Sequence, residues 1–363
     1  MLSKKIKETH FEMLAEYQKN LYEKPALQFL FFELTDQCNL HCLHCGSRSG
    51  GENRTFLPYF VVERVLQRTL ECYSSGDIMI CLTGGEPILH PDLCKIVRKA
   101  RELGFTVGMT SNGTLIDEKM AYSLAQAGMN TVSISVDGIG AVHDQFRMSE
   151  GSFDKAMRGI RALKKAGIEP QVTTVVHREN LVYLHEIYEY LKEGKIYSWK
   201  ITNVDPIGRA RMHGELFLNA GELQSLYEFI QEKRSDADCP FEVTYACAHF
   251  VTLKYEREIR DFYFQCIAGT RLASVMANGD IGACLDIERR PELVQGNAYH
   301  DDFVEVWESR FRIFRRDRAQ SSAVCRECTD KNICMGDSAH TWDYERNEPL
   351  YCFAERRGLL NRR

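Results

Sequence analysis

Short apolar runs rich in strand formers alternate with longer segments of helical period over roughly the first 215 residues, and this confines the chain to a parallel sheet covered by helices. The strand-like runs are 28-QFLFFELT-35, 77-DIMICLT-83, 104-GFTVGMTSNG-113, 131-TVSISVDG-138, 169-EPQVTTVVH-177 and 197-YSWKITNV-204. Helical patterns fall between them, near 59–73, 92–103, 117–127, 152–166 and 182–192. Six β/α units make an incomplete barrel rather than a closed eight-stranded one. Phe11, Leu14, Tyr17 and Leu21, at helical spacing, predict an N-terminal helix packed on that barrel.

A loop at the C-terminal end of a barrel strand is where enzyme sites of this architecture sit. The loop after the first run reads 36-DQCNLHCLHC-45, placing Cys38, Cys42 and Cys45 in a C-x3-C-x2-C spacing. Three thiolates are one short of the four that close a zinc or iron–sulfur site, so a metal held there keeps an open position. The spacing alone leaves open a small zinc site or three unrelated buried thiols. The chain of 363 residues carries 14 cysteines but no export signal or long apolar span, which favours metal ligation over disulfides and predicts a cytoplasmic protein. With 46 basic and 51 acidic side chains, neither nucleic acid nor a membrane surface is indicated as a partner.

The second run ends in Gly84-Gly85-Glu86-Pro87. Together with C-x3-C-x2-C this resembles the radical S-adenosylmethionine (SAM) superfamily, which implies a TIM-like partial (β/α)6 barrel. It further implies that Cys38, Cys42 and Cys45 bind three irons of a 4Fe-4S cluster whose fourth iron takes the amino and carboxylate groups of SAM. One electron then releases a 5′-deoxyadenosyl radical that abstracts a substrate hydrogen. The same resemblance places Gly84, Gly85, Glu86 and Pro87 at the SAM amino group, with glycines that let backbone approach a ligand. Asn112 belongs to the Ser111-Asn112-Gly113 segment, and Ser135 to 133-SISVDG-138, where it would face the ribose or methionyl carboxylate. Arg147 would pair with a carboxylate in that region, a task suited to its forked donors. His44 is read as a neighbour of the adenine, not as a ligand. For Ser135 and Arg147, satisfaction of backbone groups and a surface position stand as equal alternatives.

A second constellation is C-terminal. Cys266, Gly279 and Cys284 are followed by Cys325-x2-Cys328-x5-Cys334 and then Cys352. This resembles the SPASM extension of peptide-modifying radical SAM enzymes, which holds two auxiliary iron–sulfur clusters; a zinc ribbon is the alternative for 325–352. The cysteine expected three residues past Cys334 is replaced by Ser338. In the family that residue belongs to the cluster nearer the active site, so the distal set of Cys325, Cys328, Cys334 and Cys352 is complete while the proximal set keeps Cys266 and Cys284, with Cys247 a candidate third. Asp337, Ser338, His340 or a substrate group could fill the remaining position. Cys72, Cys81, Cys94 and Cys239 are expected to be inert thiols.

The organisation expected is a helix at 1–26, the barrel at 27–215, a helical bridge at 216–262 and the SPASM-type domain at 263–363. The resemblance makes the chain an oxidoreductase that matures a ribosomally made peptide by cross-linking, drawing electrons from a donor such as flavodoxin or ferredoxin. Formylglycine-forming oxidation and small-molecule dehydrogenation are the enzymatic alternatives, and Asp286, two residues past Cys284, is the candidate base. A non-catalytic iron–sulfur carrier is disfavoured because it gives Gly84-Gly85-Glu86-Pro87 no role. With no leader-binding domain expected before the first strand, peptide recognition would come from a separate leader-binding protein, the SPASM region or residues 205–265. Arg310, Arg312, Arg315, Arg316 and Arg318 could attract an acidic leader, although a solvated helix face is the commoner meaning of such a run.

Overall fold

The structure is a computed structural model and describes residues 4–51, 55–246, 249–352 and 358–359. A helix, α1 (Lys4–Glu23), precedes a series of β/α units: β1 (Phe29–Glu33), α2 (Tyr59–Cys72), β2 (Met79–Thr83), α3 (Leu93–Glu102), β3 (Thr106–Ser111), α4 (Glu118–Ala127), β4 (Thr131–Ser135), α5 (Ala141–Arg147), α6 (Ser152–Lys165), β5 (Pro170–Val176), α7 (Leu184–Glu193) and β6 (Ser198–Asn203). These strands pair in parallel in chain order. Local chemistry sets the helix ends: Asp117 caps α4 by accepting from Met120 N at 2.7 Å, and Gly128 closes it at φ +91°.

The sheet extends further than the six predicted strands. Downstream of α8 (Ala220–Ser235), β7 (Glu242–Tyr245) adds in parallel to β6, and beyond the short α9 (Thr252–Tyr255), β8 (Leu272–Val275) adds in parallel to β1. The antiparallel strands β9 (Asp280–Gly282) and β10 (Gly296–Asn297) continue it, giving the order β10-β9-β8-β1-β2-β3-β4-β5-β6-β7. The segment read as a helical bridge therefore contributes a strand, and so does the cysteine-rich region. Both are short, four residues each, and Ala-Ser or Thr-Tyr pairs give little periodic signal.

Alternation along β1 divides core from lumen. Leu30 and Phe32 are fully buried in the cluster that holds Val61, Val62 and Val65 of α2, while Phe31 and Glu33 point to the other face of the sheet. Neighbouring strands end together, β1 and β2 at Glu33 and Thr83 and β5 and β6 at Val176 and Asn203, so one rim carries the side chains of several strand ends. The N-terminal helix packs as expected but through a shifted stripe. Phe11 and Leu21 are buried, Leu14 is half-buried, and Tyr17 is exposed because Gln18 instead turns inward to Thr270. Phe11 meets Phe250 and Tyr263 edge-on. Among the described residues no helix is long and apolar enough to cross a membrane.

Phe32→Ala, removing a fully buried ring, is expected to lower the unfolding free energy by about 3–5 kcal/mol, measured as a shift in urea midpoint.

Candidate active site

Residues 36–49 form no helix or strand, and the loop is shaped by its neighbours. Gly85 N donates to Thr35 O and Glu86 N to Gln37 O, each at 2.7 Å. A Cβ on Gly85 would fall on the carbonyl of Gln37, and one on Gly84, at φ +156°, would lie 2.6 Å from Thr35 O. The glycines thus permit a close approach of backbone to backbone beneath the cysteines, where the sequence suggested an approach to a ligand. From after β6, Arg209 grips the loop through Cys42 O (2.9 Å) and Ser49 O (2.8 Å), while its N–H donates to Cys45 O (3.0 Å).

The outcome is one cavity of about 260 Å³. Cys38, Cys42 and Cys45 line it together with Gly84, Gly85, Asn112, Ser135, Arg147, His44 and Asp286. Residues that lie far apart in the chain meet there. Glu86 and Pro87 differ from expectation: both are buried, and Glu86 turns its carboxylate to Ser111 Oγ (2.7 Å) and Asn112 N (2.8 Å), so it buttresses the third strand end rather than facing the cavity. Asn112 in turn reaches Asn39, beside Cys38, at 2.9 Å. Glu33, Thr83, Thr110 and Arg209 also line the cavity and were missed by sequence reasoning. Glu33 and Thr83 end their strands, a period-two signal that could have found them; Arg209 sits in a loop and gives no such signal.

Arg147 pairs with a carboxylate of the protein itself. Its Nε lies 2.6 Å from Asp137 Oδ2, and its terminal nitrogen reaches Cys42 Sγ at 3.7 Å. Burial alone would raise the Asp137 carboxyl, but Arg147 together with His44 and His143 outweighs it and holds the pKa at about 2. Burial pushes the Cys38 thiol up to about 12 and raises Cys42 against the opposing pull of Arg147. These sulfurs are therefore thiols until a metal displaces their protons. His44 is stacked on Phe146 at 4.2 Å, and Phe146 on His177 at 4.0 Å. Burial, then Arg147, lowers His44 to about 3, so it faces the cavity as a neutral imidazole.

Asp286 lines the mouth of the cavity with its side chain exposed, and the crowding of protein around it raises its carboxyl while His340 pulls the other way. Cys325, Cys328, Cys334 and Cys352 line a second, separate cavity with Asp337 and Tyr351, an all-thiol set that suits an iron–sulfur cluster. Ala339 N, beside Ser338, donates to Cys266 Sγ at 3.3 Å, and Cys284 is half-buried against the main core. Cys247 lies outside the described residues. The arginine run is not a free basic face. Arg315 binds the carbonyls of Gly269 and Glu308, Arg318 is buried on Asp337 O, Arg316 binds Asn347, and Arg310 pairs with Asp301; Arg312 is exposed.

A barrel whose first strand delivers three convergent thiols to a polar cavity, backed by a second all-cysteine cavity, defines a metallocluster enzyme of the β/α-barrel class. The radical SAM superfamily model matches residues 32–191, and the iron–sulfur cluster-binding SPASM domain model matches 266–329. The AdoMet-dependent heme synthase of Oleidesulfovibrio alaskensis is 28% identical over 355 residues, covering 92% of this chain and 89% of that protein. The mycofactocin maturase of Mycobacterium tuberculosis is 30% identical over 320 residues, covering 85% and 77%. Streptococcus suis SuiB bound to S-adenosylmethionine shares the fold at a TM-score of 0.70 and 19% identity, over 86% of this chain and 73% of that one. The chain belongs to the radical SAM superfamily and carries a SPASM domain. Its cofactors are S-adenosylmethionine and iron–sulfur clusters.

Arg147→Ala leaves the buried Asp137 uncompensated and is expected to cost about 3–5 kcal/mol of stability. The wild-type Asp137 contribution is present above its unfolded pKa of about 3.9 and lost as pH falls through about 2. In the variant, Val175 N–H still donates to Asp137 Oδ1 at 2.8 Å but burial has lost its main opponent, so the acid loss starts at higher pH, which unfolding curves across the acid range would show.

Proposed function

We propose that this enzyme cleaves S-adenosylmethionine reductively and uses it to take a hydrogen atom from a peptide, which leaves oxidised or cross-linked. The observation that carries this reading is the convergence of Cys38, Cys42 and Cys45 with Gly84, Gly85, Asn112, Ser135 and Arg147 on a single cavity. When bound, the cluster supplies the electron and S-adenosylmethionine the hydrogen-abstracting 5′-deoxyadenosyl group. This chain's residues hold and orient them. The three thiols are the cluster ligands, and the backbone at Gly84 and Gly85 with the hydroxyl of Ser135 receives the methionyl and ribose groups. Neutral His44, stacked on Phe146 and lining the cavity, offers its ring to the adenine. Arg147 and Glu86 act as positioning residues for Asp137 and Asn112.

Asp286 is the base in this reading. A carboxyl with a raised pKa beside the thiol cavity is placed to accept the proton lost with substrate oxidation. The distal thiol cavity offers a sink for the surplus electron. A peptide substrate is supported by the fold shared with SuiB, which has also been solved with its precursor peptide over 86% of this chain. One specific observation favours a second substrate class: the heme synthase of O. alaskensis matches this chain nearly end to end, which points to a tetrapyrrole.

Replacing Cys38, Cys42 and Cys45 together by alanine is expected to abolish 5′-deoxyadenosine formation under dithionite while iron remains at the C-terminal cysteines. Undiminished formation would overturn the cluster assignment. With wild-type enzyme, a peptide encoded beside this gene should lose the mass of two hydrogens in the presence of S-adenosylmethionine and reductant, and Asp286→Asn should slow that loss more than it slows uncoupled 5′-deoxyadenosine formation. Turnover of a haem precursor with no change in any such peptide would move the assignment to the tetrapyrrole class.

A further inference from the structure

The two C-terminal cysteine sets are not built alike. The distal four line one cavity, whereas Ser338, 1% exposed, stands where the family pattern supplies a thiolate to the proximal cluster. Around it the segment 337–340 offers Asp337 and His340, and both are engaged by side chains that follow barrel strands. Asp205, two residues past β6, is the centre. Its Oδ1 lies 2.8 Å from His249 Nε2 and its Oδ2 lies 2.9 Å from His340 Nε2. His249 is fully buried and presents Nδ1 to Asp337 Oδ2 at 2.7 Å, and the other oxygen of Asp337 accepts from Phe250 N at 2.8 Å. One ligand atom from each of Asp205, His249 and His340 lies within 4.8 Å of the other two.

We propose that this position binds a single divalent transition-metal ion on Asp205, His249 and His340, in place of a proximal auxiliary iron–sulfur cluster. The donor set is the first reason. Two imidazoles and one carboxylate suit Fe(II), Co(II) or Zn(II), while a 4Fe-4S cluster wants thiolates, of which the described residues supply Cys266 and Cys284. The second reason is the outer contact. A ligating histidine almost always gives its other ring nitrogen to a carboxylate, which fixes the tautomer and aims the ligating nitrogen, and Asp337 stands in that relation to His249.

The third reason is placement. The ligands come from three separate segments, after β6, after β7 and after Cys334, and each is wholly or largely withdrawn from solvent. Three protein ligands leave coordination positions open, as in catalytic sites. Asp205 follows β6, the strand whose downstream loop also carries Arg209 to the thiol cavity, so the ion would stand on the same rim of the barrel. An anionic or carbonyl oxygen of the substrate is the group it would take.

The test is an anaerobic Co(II) titration of the full-length, cluster-reconstituted protein, with bound metals also counted as purified. The expected result is one equivalent of Co(II) with weak ligand-field bands, lost in His249→Ala and His340→Ala and kept in a Cys266→Ala/Cys284→Ala double variant. Asp337→Asn should weaken the affinity about 10–100-fold. Iron in clusters should plateau near about eight per chain, from two four-iron clusters. His340→Gln, which retains a hydrogen bond to Asp205, should also lose Co(II) while keeping the cluster absorbance and melting temperature, separating metal loss from misfolding. The proposal is overturned by no stoichiometric Co(II) binding in the wild type. It is equally overturned by intense sulfur charge-transfer bands that vanish in the double cysteine variant, or by about twelve irons and a third cluster signal.

Discussion

A loop that must hold three sulfurs toward one point cannot use a helix or strand to do so, and its peptide groups still need partners. Here they are supplied from outside. Thr35 and Gln37 carbonyls are taken by the backbone of Gly85 and Glu86, those of Cys42 and Ser49 by the guanidinium of Arg209, that of Cys45 by the Arg209 amide, and Leu43 N–H by Phe146 O. The remainder of the barrel mouth follows from this clamp. Glu86 is pulled under the third strand end, Asn112 is thereby set against Asn39, and α5 delivers both Phe146 under the loop and Arg147 between Asp137 and Cys42.

The charge arrangement is as economical as the backbone one. Arg147 neutralises Asp137 and leaves nitrogen toward a sulfur, so the site gains a cationic edge without an unpaired buried ion. His44 and His177, stacked on either side of Phe146, are both lowered well below neutrality by burial and add shape without charge. On the opposite side, Asp286 and Asp205 share the field of His340.

Much of this was legible in the sequence because two spacings are short-range. Cys38, Cys42 and Cys45 and the four residues from Gly84 are contiguous, and the period-two alternation of the six central strands placed them at strand ends. What could not be read depends on long-range meetings. The strands β7 and β8 are four residues each and gain their identity only by pairing with β6 and β1. Arg209 is one arginine among many until it is seen on the carbonyl of Cys42. Glu86 stands at the S-adenosylmethionine amino group by the resemblance of its four-residue motif, yet its carboxylate turns to Ser111 and Asn112. The arginines near 310–318 read as a surface patch, whereas four of them satisfy carbonyls, an amide or a carboxylate of their own domain. Periodicity reports a residue's face, not its partner.

The distance in sequence spanned by the clamp bears on assembly. Arg209 grips Cys42 across 167 residues, and Phe146 meets Leu43 across roughly a hundred, so the thiols reach their convergent geometry only after six strands have been laid down. A small zinc finger gathers its ligands within one short stretch, whereas these three thiols are set by partners more than a hundred residues away. Loss of the contacts at Arg209 or Phe146 would therefore loosen the cysteine loop from a distance. The cluster site is in that sense a readout of the whole barrel, and damage anywhere between β1 and β6 would be felt at the thiols.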